Sequence, residues 1–379
     1  MNIVLPSPPK RILLIKPSAI GDVVHTLPIW NLLRGHWPQA QISWLVTPAC
    51  AGLLDGLPGL DVIRFERGRL ASAWRSKAAL GELRKLGKSL RKMAFDLVID
   101  LQGLFRSGWM TWKTRAPVRV GFENAREMAW AAYTHRVPID NTEQHATDRY
   151  LKVLAALGVP TSPIEYPFPA DDSDRAHVER LIPTGQRYAV LLPGTNWDTK
   201  RWSVEKFSRL VSALRQRFGL MSVVAGGRDD EDLAVRMPEA TNLTGRTSLR
   251  QLVALLERAD LVVANDSGPM HIAAALGRPL VAIFGPTNPI RTGPYGRPDT
   301  VLRLDIPCSP CYSRQCSHQS CLQWLTIDSV LDLAAKQMTQ TTTTATTTEP
   351  ATAAQRVHVE LPQVPIYGAN ERVSSYDVP

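Results

Sequence analysis

The sequence predicts an α/β protein with two Rossmann-like domains, each built on a mainly parallel sheet. Its 379 residues exceed what one hydrophobic core usually serves. Strand-like apolar runs alternate with helix-period segments in both halves, which is the order typical of parallel sheets. The Pro-rich, polar stretch PTSPIEYPFPADDS separates the two halves. We therefore predict domains over residues 10–159 and 174–338, joined by a linker over 160–173.

The first half opens with a strand, a helix and a second strand in succession. The run RILLIK is predicted as a strand, followed by the turn SAIGD and the helix VVHTLPIWNLLRGHW. Further predicted strands are ISWLV, FDLVIDLQG and PVRVGF. The amphipathic segment HATDRYLKVLAALG is predicted as a helix that Gly158 closes.

The second half repeats this alternation. Its predicted strands are YAVLLPG, MSVVAGG, TNLTG, DLVVAND and LVAIFGP, and its predicted helices are WSVEKFSRLVSALRQRF, SLRQLVALLERA and MHIAAALG. Because ligands of such sheets bind outside the carboxyl ends of the strands, the functional residues should follow the strands. From Thr339 the Thr-rich sequence cannot bury enough apolar surface to offset its ordering entropy, so a disordered tail is expected over 339–379.

The charge of the chain points to an anionic partner. The formal net charge is +9, and between Arg67 and Lys92 nine basic residues stand against one acidic residue, Glu82. This segment resembles a pair of basic amphipathic helices, which would rest on an anionic lipid surface or bind a phosphorylated acceptor. The alternative is a solvated helical face. We expect no specific binding to nucleic acid.

Other classes of protein lack their usual signals here. No apolar run reaches the about 18 residues that span a bilayer, and the start of the chain lacks the apolar core of a signal peptide, so a cytoplasmic protein is expected. The sequence contains no Gly-x-Gly pair and no Walker pattern. A nicotinamide-dependent dehydrogenase and a P-loop enzyme are therefore disfavoured.

The turn KPSAIGD places a carboxylate at the start of a helix. Gly21 permits a tight turn, so Asp22 falls at or next to the first helical residue. One interpretation is a helix cap. The other is a general base, because the helix dipole keeps such a carboxylate ionised and able to take a proton from an acceptor hydroxyl.

The stretch DLVVANDSGPMHIAAALG predicts an anion site. A buried strand delivers Asp266, Ser267 and Gly268 to a helix N-terminus, where backbone N–H groups would hold a diphosphate. His271, one turn later, could donate to the same anion. The alternative is an ordinary cap followed by a core histidine.

Two further strands end in polar residues. LLPGTNWDTKRW presents Thr195 and Asn196 and then Lys200, which suits a phosphate unless it lies in a solvated loop. AGGRDDED offers Asp230 to ribose hydroxyls, although these acidic residues are equally compatible with the start of a helix.

Four cysteines cluster near the end of the second half. Their spacing, C-x2-C-x4-C-x4-C, is compatible with structural zinc but departs from the paired CxxC ribbon. The alternative, a set of reduced and half-buried thiols, is favoured, so no metal is assigned. The residues concerned are Cys308, Cys311, Cys316 and Cys321, with His318 as a possible substitute ligand.

Several of these motifs together resemble glycosyltransferase family nine. The resemblance is carried by KPSAIGDVVHTLP, LPGTNWDTKRW, TSLRQLVALLERADLVVANDSGPMHIAAALGRP and IFGPTNP, and it covers about residues 11–338. Within the family, GFENAREMAWAAYTHRVPI and HATDRYL resemble the heptosyltransferase I branch more than heptosyltransferase II.

The resemblance implies a GT-B fold of two facing domains and a specific reaction. Heptose would pass from ADP-heptose to a Kdo sugar of the lipid A core, with inversion at the anomeric carbon, no catalytic metal and no cofactor. The implied catalytic residues are Asp22 as base and Lys200 at the phosphates. The implied donor-binding residues are Thr195, Asn196, Asp230 near the ribose, Thr247 near the adenine, Asp266, Ser267, Gly268 and His271. The implied acceptor-binding residues are Arg67, Arg69 and Arg126.

Two alternatives remain open beside that reaction. The chain could be a family member with another nucleotide sugar or acceptor, or a non-catalytic module that only binds a nucleotide sugar. A lipid acceptor implies a protein held peripherally at the inner face of the cytoplasmic membrane. The sequence leaves the oligomeric state undetermined.

Overall fold

The computed structural model describes residues 2–66, 77–141 and 143–343. Within these ranges the chain forms two six-stranded sheets in which all paired strands are parallel. The predicted α/β class with two parallel sheets is therefore confirmed. The candidate acceptor residues Arg67 and Arg69 lie outside the described residues, as does the tail beyond Thr343.

Both sheets have the same strand order. The first is ordered β3-β2-β1-β4-β5-β6 and the second β12-β11-β10-β7-β8-β9, so each has a switch point beside its first strand. The strands of the first sheet are β1 Arg11–Ile15, β2 Gln41–Val46, β3 Leu60–Arg64, β4 Leu97–Asp100, β5 Val118–Phe122 and β6 His135–Val137. Those of the second are β7 Tyr188–Leu192, β8 Met221–Val224, β9 Thr241–Asn242, β10 Leu261–Asn265, β11 Leu280–Ile283 and β12 Val301–Leu302.

Helices cover both faces of each sheet, and this is why the central strands are buried and almost entirely apolar. Every residue of β4, β7, β10 and β11 is buried. The helices are α1 Ile20–His36, α2 Pro48–Ala51, α3 Lys77–Lys92, α4 Phe105–Thr114, α5 Ala146–Ala156, α6 Asp172–Leu181, α7 Val204–Phe218, α8 Glu231–Val235, α9 Leu249–Glu257, α10 Gly268–Ala275, α11 Pro289–Thr292, α12 Ser320–Gln323 and α13 Ile327–Thr343. Short 3-10 turns lie at Ala129–Ala132, Asp198–Lys200, Arg228–Asp230 and Pro298–Thr300.

Two element ends differ from the predicted boundaries. Helix α13 runs from Ile327 through Thr343, past the predicted start of the tail at Thr339, and its buried apolar residues pack on the second sheet. Helix α6 begins at Asp172, one residue before the predicted end of the linker, because the side chain of Asp171 caps it. The basic segment contributes one described helix, α3, and the rest of the predicted pair lies outside the described residues.

The two halves are joined by direct contacts as well as by the linker. Helix α1 of the first half packs against α10 of the second. The hydroxyl of Tyr295 donates to Asp148 Oδ1 at 2.7 Å, and His145 Nε2 lies 3.0 Å from the carbonyl oxygen of Gly293. The cleft between the sheets is therefore lined from both sides. None of the described helices combines the length and apolarity needed to cross a membrane.

A buried carboxylate holds the carboxyl edge of the first sheet. Asp100, at the end of β4, accepts hydrogen bonds from the backbone N–H groups of Gln102 and Gly103 at 2.9 and 3.1 Å and from the Tyr133 hydroxyl at 2.7 Å. Burial raises the pKa of Asp100, and these three donors partly offset that effect. The loop after β4 is thereby fixed next to the cleft.

The substitution Tyr133→Phe tests this anchor. We expect it to lower the free energy of unfolding by about 1–3 kcal/mol, because a buried carboxyl group loses one of its donors. Urea denaturation followed by circular dichroism measures the effect. Tyr312→Phe is the matched control, since its hydroxyl is buried without a hydrogen-bond partner. An equal loss in both variants would contradict the assignment.

Candidate active site

The carboxyl ends of the two sheets meet where the N-termini of α1 and α10 approach each other. A Cβ atom on Gly21 would lie 2.5 Å from the Cδ2 atom of His271, and one on Gly268 would lie 2.6 Å from the Cβ atom of Ile20. Only glycine allows so close an approach at either position. Two positive helix ends therefore face one cleft, and an anion between them is favoured by both dipoles.

Asp22 is the third residue of α1, and it both caps the helix and faces the cleft. Its Oδ2 atom accepts from the backbone N–H of Ala19 at 3.2 Å, which is the capping role. Its Oδ1 atom lies 3.4 Å from Lys16 Nζ and accepts from the hydroxyl of Tyr150 at 3.3 Å. The side chain is 37% exposed, so an acceptor hydroxyl can reach it. Asp22 can therefore serve both as the helix cap and as the general base that the sequence offered as alternatives.

Lys16 and Tyr150 belong to this arrangement although sequence analysis did not single them out. Burial lowers the pKa of Lys16, but attraction to Asp22 and Tyr150 outweighs it and leaves that pKa above its ordinary value. Burial raises the pKa of Tyr150 to about 12, so its hydroxyl stays protonated and donates. The signal for Lys16 was a charged residue directly after a buried strand. Tyr150 gave no local signal, since it lies 128 residues from Asp22.

A second lysine–carboxylate pair lies on the opposite side of the cleft. Lys200 Nζ is 2.7 Å from Asp266 Oδ2, which also accepts from the hydroxyl of Thr287 at 2.6 Å. Asp266 is only 6% exposed and Lys200 is 17% exposed. The carboxylate is thus held by two donors, and a bound phosphate would meet the lysine. Asp266, which sequence analysis grouped with the diphosphate-binding turn, orients Lys200 in this structure.

The N-terminus of α10 has the features of an anion site. Ser267 is its N-cap residue, and the hydroxyl of Ser267 is buried without a hydrogen-bond partner. Gly268, Met270 and His271 carry the first backbone N–H groups of the helix, which lack partners within it, whereas Pro269 between them has no N–H. An unpartnered hydroxyl beside free N–H groups suits phosphate oxygens. The predicted position of Ser267 and Gly268 directly after a buried strand is confirmed.

The remaining candidate donor residues gather at the same edge of the second sheet. Thr195 follows β7, and its hydroxyl donates to the carbonyl oxygen of Trp197 at 2.6 Å, while the neighbouring Asn196 is exposed. Asp230 follows β8 and is packed so close to the β7 loop that a Cβ atom on Gly194 would lie 2.2 Å from its Oδ1 atom. Thr247 is half-buried in the turn between β9 and α9.

Asp230 also starts the helical segment that follows it. Its Oδ2 atom accepts from the backbone N–H of Gly227 at 2.9 Å, and burial raises its pKa. The neighbouring Glu231 is exposed. Of these two acidic residues, Asp230 is therefore the one directed toward the loops of the second sheet.

Three histidines fill the seam between the two halves. His25 Nε2 lies 3.0 Å from His271 Nδ1, and the ring of His145 packs edge-on against His25 with 4.6 Å between centroids. All three rings are buried. Burial lowers the pKa of each, that of His271 to about 4, so the seam is uncharged at neutral pH. Sequence analysis identified only His271, because the contact with His25 joins residues 246 positions apart.

The candidate acceptor side is partly described. Arg126 is exposed in the loop after β5, and its backbone N–H donates to the carbonyl oxygen of Gly103 at 2.9 Å. It therefore lies at the same sheet edge as Asp22. Arg67 and Arg69 lie outside the described residues.

This geometry supports group transfer from a diphosphate leaving group. One side of the cleft offers an accessible carboxylate, and the other offers a lysine, a hydroxyl and free backbone N–H groups. A carboxylate of this kind can deprotonate a nucleophile, while the opposite groups stabilise charge on a departing anion.

Comparisons with known proteins agree with this geometry. Residues 83–322 match the model of the family described as glycosyltransferase family 9 (heptosyltransferase). The chain is 32% identical over 323 residues to lipopolysaccharide heptosyltransferase 1 of Pseudomonas aeruginosa, covering 82% of this chain and 88% of that protein.

Solved structures show the same fold. The structure of Escherichia coli ADP-heptose lipopolysaccharide heptosyltransferase II superimposes with a TM-score of 0.71 and 26% identity, covering 88% of this chain and 99% of that one. Escherichia coli heptosyltransferase WaaC with ADP gives a TM-score of 0.72 and 27% identity, covering 86% of this chain and 99% of that one. The GT-B fold implied by the sequence resemblance is thereby confirmed.

The buried histidines predict that the free energy of unfolding falls as the pH is lowered. A histidine in the unfolded chain has a pKa of about 6.5. The seam histidines have lower pKa values in the folded protein and therefore stay neutral to lower pH. As pH falls from about 6.5 toward 4, the unfolded chain therefore binds protons that the folded chain does not. The free energy of unfolding should fall by up to about 1.4 kcal/mol per pH unit for each histidine.

Urea denaturation at pH values from about 7.5 to 5 measures this slope. His25→Gln should make the slope shallower, because one group that titrates only in the unfolded state is removed. His36→Gln is the control, since that ring is exposed. A free energy of unfolding that stays constant over the window, or the same change in both variants, would count against a neutral seam.

Proposed function

The chain belongs to glycosyltransferase family 9, the heptosyltransferase family, and on that premise we propose that it transfers heptose from ADP-heptose to a Kdo residue of the lipopolysaccharide inner core. The observation that carries the proposal is the pairing across one cleft of an accessible base, Asp22, with an anion site at Lys200 and Ser267. The family is one of glycosyltransferases, so the chain is an enzyme of that class. The names of its relatives support heptose as the sugar and lipopolysaccharide as the product.

The donor proposal follows from the charges on the second sheet. The diphosphate of ADP-heptose would accept from the N–H groups at the start of α10, from the Ser267 hydroxyl and from Lys200. Asp230 would accept from ribose hydroxyls, and Thr247 would lie near the adenine. These positive groups supply what a metal supplies in other glycosyltransferases, so we propose a reaction without a catalytic metal.

The proposed reaction is a single displacement with inversion. Asp22 takes the proton of the acceptor hydroxyl as that oxygen bonds to the anomeric carbon of heptose. The bond from this carbon to the phosphate oxygen breaks at the same time, and its electron pair leaves with ADP. Lys200 and the helix N-terminus stabilise the charge on the departing diphosphate. Lys16 and Tyr150 hold the Asp22 carboxylate in place while it is ionised.

The acceptor proposal is a heptosyltransferase I specificity. It is supported by the likeness to lipopolysaccharide heptosyltransferase 1 of Pseudomonas aeruginosa and by the exposed Arg126 at the edge that carries Asp22. Arginine binds carboxylates and phosphates through paired hydrogen bonds, and a Kdo-bearing lipid A offers both groups. Arg67 and Arg69 are proposed to add to this contact.

A peripheral position at the inner face of the cytoplasmic membrane is proposed from one surface of the first half. We call this surface the lipid face. It comprises α3, α4 and the turn Ala129–Ala132, which pack side by side. Its exposed large apolar residues are Leu80, Phe105, Trp112, Met128 and Trp130. Exposed basic residues of α3 lie beside them, and mixed aromatic and basic surfaces suit an anionic lipid interface.

The first experiment measures ADP release and product mass with ADP-heptose and a Kdo-bearing lipid A acceptor. Asp22→Asn should lower kcat by about 10²–10⁴-fold and leave ADP binding unchanged, because the base acts only on the acceptor. Lys200→Ala should weaken ADP binding as well, because it removes a diphosphate contact. Asp140→Asn, an exposed carboxylate of the first half, is the control and should match the wild type.

The outcomes separate the proposals. If the wild type binds ADP and transfers another sugar from another nucleotide sugar, the family and donor site stand and the heptose assignment fails. If Asp22→Asn retains full transfer, the assignment of the base is wrong. If neither transfer nor hydrolysis of any nucleotide sugar occurs, the chain is a binding module instead.

The lipid face is tested by co-sedimentation with vesicles. Wild-type protein should bind vesicles containing anionic phosphatidylglycerol and release from them at high salt. The double variant Lys85→Glu/Lys88→Glu on α3 should bind at least about tenfold more weakly, since each basic residue near such a surface contributes about 1 kcal/mol. Arg209→Glu/Arg215→Glu on α7 makes the same change of charge elsewhere. If both double variants bind vesicles equally weakly, vesicle binding depends only on the net charge of the protein, and the assignment of the lipid face is wrong.

A further inference from the structure

Four cysteines that the proposed reaction does not use line one cavity of the second half. Cys308, Cys311, Cys316 and Cys321 share a cavity of about 340 Å³, and none of them forms a disulfide. Cys308 and Cys311 are exposed, Cys316 is half-buried and Cys321 is buried. We propose that these four thiolates hold a metal centre, either a single zinc or iron ion or an iron–sulfur cluster, that is structural rather than catalytic.

The chemistry of the cavity matches a thiophilic metal. Four thiolates are the donor set of structural zinc, of mononuclear iron and of iron–sulfur clusters. The backbone N–H of Gln319 already donates to Cys316 Sγ at 3.3 Å, which is the kind of hydrogen bond that stabilises a metal-bound thiolate. Sequence spacing alone favoured reduced thiols. Because all four cysteines line one cavity, the structure favours a metal site over four separate thiols.

His318 is the less suitable ligand. The backbone N–H of Ser320 donates to its Nδ1 atom at 3.3 Å, so that nitrogen acts as an acceptor. A neutral imidazole whose Nδ1 accepts carries its proton on Nε2, and such a ring has no free lone pair there for a metal. The cavity therefore offers four sulfur ligands rather than three sulfurs and one nitrogen.

The thiols as they stand do not form the ligand set of a single ion. Within residues 2–66, 77–141 and 143–343, no three His, Cys, Asp or Glu side chains stand in the geometry that holds one ion. Zinc bonds to sulfur at about 2.3 Å, so a mononuclear site would draw the thiols inward. The two exposed cysteines lie on a loop without regular secondary structure, which makes that movement accessible. A cluster with bridging sulfide would span a wider opening.

Hydrogen bonds to neighbouring segments hold part of the loop, but regular secondary structure does not. Within residues 303–319 there is no helix and only an isolated bridge at Leu304, and Tyr312 and Gln319 adopt positive φ angles of 54° and 39°. Side chains rarely adopt that conformation unless the surroundings enforce it. Metal binding supplies such enforcement, because the free energy of coordination stabilises the loop conformation directly.

The position of the loop gives the metal a role beside the active site. The hydroxyl of Thr199, the residue before Lys200, donates to the carbonyl oxygen of Ser313 at 2.8 Å. The backbone N–H of Cys311 donates to the carbonyl oxygen of Pro286 at 3.0 Å, one residue before Thr287, which bonds to Asp266. A fixed cysteine loop would thus hold both segments that orient Lys200.

Metal content of the full chain tests the proposal without reference to activity. Protein without an affinity tag is purified under nitrogen from cells supplied with zinc and iron. Zinc, iron and acid-labile sulfide are then measured. We expect about one zinc or iron ion per chain without sulfide, or several irons with matching sulfide. These two results distinguish the single ion from the cluster.

Variants locate the metal. Cys311→Ser and Cys316→Ser should each lower bound metal by at least about tenfold. Cys50→Ser, a buried cysteine of the first half, is the control and should keep it. Cobalt added to metal-free wild type should give the intense near-ultraviolet absorption of thiolate-to-cobalt charge transfer, a test that does not depend on whether the variants fold.

Three results would overturn the proposal. The first is less than about a tenth of a metal ion per chain together with no cobalt–thiolate absorption. The second is undiminished metal in folded Cys311→Ser. The third is a thiol titration showing that the four cysteines form disulfides in the protein purified under nitrogen. None of these results bears on the sugar or acceptor, which the transfer assay tests separately.

Discussion

The close approach of two helix N-termini is the constraint on which the rest of the structure depends. Gly21 and Gly268 have no room for a side chain, because a Cβ atom at either position would lie within 2.6 Å of a carbon atom of the opposite half, well inside van der Waals contact. This approach sets the width of the cleft and aims two helix dipoles into it. It also closes the seam around His25, His145 and His271, and burial lowers the pKa of each ring so that the seam is neutral.

Two lysine–carboxylate pairs in this cleft have opposite patterns of exposure. Lys16 is buried and Asp22 is accessible, whereas Asp266 is buried and Lys200 is the more accessible partner. In each pair the buried residue orients the more exposed one and keeps it ionised. The charge of the exposed residue therefore remains available to a ligand. In the proposed reaction, one half of the protein would present a negative group to an incoming hydroxyl, and the other would present a positive group to a departing phosphate. This division of charge is what suits the cleft to glycosyl transfer.

Two surfaces away from the cleft, the lipid face and the cysteine loop, are proposed to assist the reaction, one on each half of the protein. The lipid face lies on the half that carries Asp22, so an acceptor held by its lipid would present its sugars to the base. The cysteine loop lies on the half that carries Lys200, and its hydrogen bonds through Thr199 and Pro286 reach the segments that hold the lysine.

The sequence by itself determined the two parallel sheets, the order of their strands along the chain and the strand ends that carry the site. Those features depend on local patterns: apolar runs, a glycine at a turn, and polar residues directly after a strand. The edge strands β3, β6 and β12 escaped prediction, because β3 and β6 are only partly buried and β12 has two residues, so none gives a continuous apolar run. The end of α13 was missed because packing on the second sheet overrides the low helix propensity of threonine. Only the tertiary structure decided that Tyr150 meets Asp22, that His25 meets His271, and that four thiols share a cavity, because such contacts are set by the packing of distant segments and leave no periodic trace in the chain.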